Sequence, residues 1–133
     1  MNIGIRTAAA SLVLIASQAS ADEHSNSNPT YEDAMRCSSL HGFFMVITDE
    51  AEPAYAKHEE HATRWLSMAM VRDGKGGKRA QEQYQPSLEL LIQRANSMED
   101  KPQELNEFLM FAFNKCTEME TANSEEFAAV EVD

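Results

Sequence analysis

The chain has 133 residues, with 11 Lys and Arg against 22 Asp and Glu, and a net charge of −11. Such a surface repels nucleic acid and anionic membranes, so both are excluded as partners, and the simplest use of the charge is solubility through self-repulsion. The length supports one hydrophobic core and no more.

In chain order, Arg6 is the only charged side chain before Asp22. It precedes an apolar run from Thr7 to Ala16 and a small-residue stretch that ends Ala19-Ser20-Ala21. This is the layout of a cleavable secretory signal over residues 1–21, cut after Ala21, with a cut after Ala19 as the alternative. The apolar run is about half of the roughly 20 residues that span a bilayer, which argues against a stable membrane anchor. No cysteine stands at the junction to accept a lipid, and no arginine pair directs export of a prefolded protein. The expected product is periplasmic or secreted. Residues 22–29 read as a flexible polar leader, 30–119 as the folded unit and 120–133 as an acidic C-terminal tail.

The folded unit is expected to be all-α. Thr30-Tyr31-Glu32-Asp33 resembles a capping box, and the apolar stripe Ala34, Cys37, Leu40, His41, Phe44, Ile47 carries a first helix to about Thr48. A second starts where Asp49 or Glu50 caps and Pro53 sits in the first turn. Its stripe is Tyr55, His58, Ala62, Trp65, Leu66, Ala69, and Asp73-Gly74-Lys75-Gly76-Gly77 ends it. The third stripe, from Ala80 to Met98, crosses Pro86, where the spacing predicts a kink or a later helix start. The fourth is capped by Asp100 and opened by Pro102, with Leu105, Phe108, Leu109, Ala112, Cys116 and Met119 inward. Short links between four such rods predict an antiparallel up-down-up-down four-helix bundle. If Pro86 breaks the third rod, three helices and a short extra one remain.

Cys37 and Cys116 are the two cysteines, and export into an oxidising compartment predicts a disulfide between them. An up-down-up-down order puts both at the same end. Their wide spacing is unlike the close Cys-x-x-Cys pair of redox catalysts.

His41, His58 and His61 are the histidines inside the folded unit, and an antiparallel turn near residue 50 sets His41 beside the other two. Imidazoles meeting between helices suit a transition metal or haem, with Glu59, Glu60 or a methionine completing the set. Set against this are two absences, the Glu-x-x-His repeats of ferritin-like sites and the Cys-x-x-Cys-His of covalent haem. Acid sensing by clustered imidazoles is a further reading. Met68 and Met70 beside Trp65 suit soft copper, or simply core packing. Phe43, Phe44, Phe108, Phe111 and Phe113 exceed what one stripe hides and suggest a contact surface, a homodimer being the simplest use.

No hydrolase, kinase or dinucleotide signature occurs, so an enzyme is not expected. The leading expectation is a non-enzymatic binding or accessory module for a protein or small ligand, without a resident cofactor. The alternative is a metal or haem carrier built on the three histidines.

Overall fold

A computed structural model describes residues 28–130, so the signal segment 1–21 and most of the leader lie outside the described residues. The described residues form five helices, α1 (Tyr31–Ile47), α2 (Pro53–Asp73), α3 (Lys78–Asn96), α4 (Pro102–Ala122) and α5 (Ser124–Ala129). Among them no helix is long and apolar enough to cross a membrane.

The capping box closes as the sequence implies. The Thr30 hydroxyl accepts from the Asp33 N–H, and the Asp33 carboxylate accepts from the Thr30 N–H, each at 3.0 Å. Two expected caps do not form. Asp49 instead accepts from the Ala51 N–H, closing a turn ahead of α2, and Lys101 holds the capping position of α4 where Asp100 was expected. Pro53 and Pro102 open their helices as anticipated, because a first-turn N–H has no partner to lose.

The Asp73–Gly77 loop needs its glycines, since Gly74, Gly76 and Gly77 all have φ between 69° and 77°. At Gly77 a Cβ would also stand 2.5 Å from the Met70 methyl, whereas at Gly76 it would meet nothing. Gly76→Ala should therefore cost about 1–2 kcal/mol from its left-handed backbone alone. Gly77→Ala should cost measurably more in a urea melt, because the Met70 contact adds to the same strain.

Pro86 neither breaks nor delays α3, which is continuous from Lys78. The residue is exposed, so the carbonyl that its missing N–H leaves unpaired can turn to water. The two ends of the folded unit are also tied more firmly than their polar composition suggests. Pro29, at the end of the expected leader, is buried, and its carbonyl accepts from Arg72 Nε at 2.8 Å. Where an acidic tail was expected from residue 120, α4 continues to Ala122 and α5 follows with Phe127 buried. One buried aromatic ring, with Arg64 holding the backbone carbonyls after it and Arg72 pairing with the Glu126 carboxylate, outweighs the charge repulsion of the surrounding glutamates.

α1 is the central element, in contact with α2, α3 and α4. Small residues are buried on both α1 and α2, Ala34 and Ser38 on one and Ala62 and Ala69 on the other, and the Ser38 hydroxyl donates to the Ala62 carbonyl at 2.7 Å. The main core gathers Met35, Leu40, Trp65, Met68 and Met119 around this α1–α2 seam, so Met68 serves packing. Phe43, Leu88 and Ala95 form a second cluster between α1 and α3. Cys37 and Cys116 form the expected disulfide, with Cα atoms 5.7 Å apart, and fasten α4 to α1.

Candidate metal centre

The α1–α2 seam sets His41 against α2 where His58 and His61 face inward, one turn apart. Ring centroids of His41 lie 5.2 Å from His58 and 5.0 Å from His61. The three expected histidines are thus neighbours, but they are not equivalent.

The decisive fourth residue is Glu120, near the end of α4. His61 Nδ1 lies 3.0 Å from Glu120 Oε1, the Trp65 indole N–H donates to Glu120 Oε2 at 3.2 Å, and His41 Nε2 stands 3.6 Å from the same oxygen. At that range His41 Nε2 has no hydrogen bond, although its side chain is only 4% exposed. A buried polar atom left without a partner is costly in a packed interior and asks for an explanation. Here the orphaned nitrogen points into a carboxylate–imidazole cluster.

His58 plays a different part. Its Nδ1 lies 3.0 Å from His41 Nδ1, so one nitrogen donates to the other, and its ring stacks on Phe44 with centroids 5.0 Å apart. The bond forms with the proton on either ring. His41 can therefore direct an Nε2 proton toward Glu120 in the metal-free protein, or shift its proton to Nδ1 and offer the Nε2 lone pair that a metal-ligating histidine requires. Burial, together with repulsion from His41 and His61, pushes the His58 pKa below its usual value, which keeps this ring neutral.

Burial by itself would raise the Glu120 pKa. The imidazoles of His41 and His61 and the Trp65 N–H outweigh that effect and hold the carboxyl down at about 2, so Glu120 is an anion. Donor atoms of His41, His61 and Glu120 all lie within 4.8 Å of one another. Around a metal with bonds of roughly 2.0–2.2 Å, tetrahedral ligands sit about 3.3 Å apart, so small side-chain rotations close the set.

The sequence missed Glu120 because residues past 119 were read as tail. The available signal was its i,i+4 relation to Cys116, which is tied to α1, combined with the need of buried Trp65 for an acceptor. Glu59 and Glu60, the carboxylates nearest the histidines in sequence, are exposed on α2, and Glu60 pairs with Arg64.

Compared with protein-family models, curated protein sequences and solved structures, the chain matches none.

Proposed function

We propose that this protein is a small, exported, non-enzymatic carrier that binds one divalent transition-metal ion through His41 Nε2, His61 Nδ1 and Glu120. The observation that carries the reading is the buried His41 Nε2, 3.6 Å from an anionic carboxylate and with no hydrogen bond of its own, beside a second imidazole, each of the three groups supplied by a different helix. Two nitrogens and one oxygen suit zinc, copper, nickel or ferrous iron, and three protein ligands leave a coordination position open. The donors converge on one point between rings already packed 5.0–5.8 Å apart, which favours a bare ion over a haem plane.

Export is supported by the leader sequence and by the disulfide, a bond that persists in oxidising compartments. An antiparallel arrangement of the four long helices is supported by the cross-link between the first half of α1 and the last third of α4. A second reading, a docking module for another protein, draws on Phe111, which is 67% exposed, with Met110 and Leu90 also open to solvent.

Calorimetric titration of metal-free protein with zinc tests the proposal. The expected result is one site of submicromolar affinity. It should be abolished by His41→Ala, His61→Ala or Glu120→Gln, and weakened about 10–100-fold by His58→Ala, as for an outer partner of a ligand. Absence of binding in the micromolar range, or equal binding by the Glu120 variant, would overturn the metal reading. A co-purifying protein in the absence of bound metal would favour the docking module instead.

A further inference from the structure

α5 is six residues long, too short to be stable by itself, so its position depends on what holds it. Phe127 seats against Trp65 and His61, with ring centroids 5.1 and 5.5 Å away. Arg72 forks onto the Glu126 carboxylate with contacts of 2.6 and 2.9 Å. Arg64 Nη1 donates to the carbonyls of Phe127, Ala128 and Val130, at 3.1, 2.9 and 3.2 Å, and so caps the end of α5. Both arginines belong to α2, the helix that carries His61. Asn123 is the one residue between α4, which carries Glu120, and α5 along the chain. A cleft of about 460 Å³ borders His61 and Glu120 on one side and Phe127 and Ala128 on the other.

Resting on the metal reading above, we propose that α5 is a gate over the metal centre: it lifts about Asn123 to admit or release the ion, and the Arg72–Glu126 and Arg64 contacts hold it shut. His61 and Glu120 are already 25% and 14% exposed toward that cleft, and lifting α5 removes Phe127 from the His61 ring and widens the approach to both while the disulfide stays in place. The Arg72–Glu126 anchor is an ion pair whose carboxylate is 40% exposed, so salt loosens that hold on the gate.

Trp65, the sole tryptophan, is fully buried beneath Phe127 and reports on the gate without metal. Acrylamide quenching of its fluorescence should rise several-fold in Glu126→Gln, in Phe127→Ala and in the parent protein at molar salt, with a loss of far-UV helicity no larger than the six residues of α5. In zinc-loaded protein, transfer to a chelating dye should be about tenfold faster in Glu126→Gln, the size expected for loss of a charge-assisted pair. Zinc uptake should accelerate by the same factor, leaving Kd within about threefold, since a gate changes the path and not the end states. Unchanged exchange rates despite raised quenching would overturn the gate. Faster release with weaker Kd would overturn it too, by making α5 part of the site. A parent protein that takes up no zinc overturns the metal reading itself, and is distinguished by absent binding rather than altered rates.

Discussion

Replacing Cys37 and Cys116 together by alanine should lower the melting temperature by at least about 10 °C. The disulfide closes a loop with a sequence separation of 79, and restricting the unfolded chain to that extent is worth roughly 4–5 kcal/mol in the chain-entropy model. For a domain near 100 residues each kcal/mol moves the midpoint by about 4–8 °C, so the figure of 10 °C allows for residual order in the unfolded chain. Alanine is the appropriate replacement because both positions are buried, at 0% and 2% exposure, and serine would add unpaired hydroxyls. α4 has few other buried anchors, Met119 being the remaining buried residue of that helix. The loss should therefore also loosen the position of Glu120 and weaken zinc binding. A double variant that melts within about 2 °C of the parent would show that packing alone holds α4.

Acid should destabilise the metal-free protein in two separable stages. The His58 pKa lies below its usual 6.5 in the folded state. As pH falls below about 6.5 the unfolded chain therefore takes up a proton that the folded chain refuses, and stability drops. Glu120 acts lower on the scale. Its folded pKa is about 2 against an ordinary value of 4.5, so its contribution is fully present above about 4.5 and is lost progressively as pH falls toward 2. Denaturant midpoints measured from pH 8 to pH 2 should show both declines. His58→Asn should remove the upper one and Glu120→Gln the lower one. A parent curve that is flat between pH 7 and pH 5 would mean that the His58 ring is hydrated and not enclosed between Phe44 and His41.

Much of the backbone could be read in advance because its signals are local. A capping box needs only Thr30 and Asp33, a helix exit only the glycines of residues 74–77, and a first-turn proline only its own ring. The meeting of His41 with His58 and His61 was also accessible, since an antiparallel turn fixes which residues share a height. Caps between competing acids were less so. Asp49, Glu50 and Glu52 all precede α2, and the choice among them depends on a turn whose geometry comes from how α2 lies on α1.

The acidic C-terminal stretch shows where composition misleads. Glu118 to Glu126 holds several glutamates and no basic residue, yet Glu120 and Glu126 each meet a partner from α2: His61 and Trp65 for one, Arg72 for the other. Those partners are more than 50 residues away in sequence. No window along the chain contains both halves of either interaction.

By itself the sequence determined the helical elements, the loop glycines, the pairing of two cysteines and the neighbourhood of three histidines, because periodicity, backbone preference and elimination act within short spans or leave a single choice. The tertiary structure alone decided that Pro86 is tolerated inside α3, that Ser124–Ala129 folds back as α5, and that Glu120, not Glu59 or Glu60, faces the imidazoles. Each of those outcomes depends on which side of a helix meets solvent and which meets another helix, and that is settled only when α1, α2 and α4 are packed together.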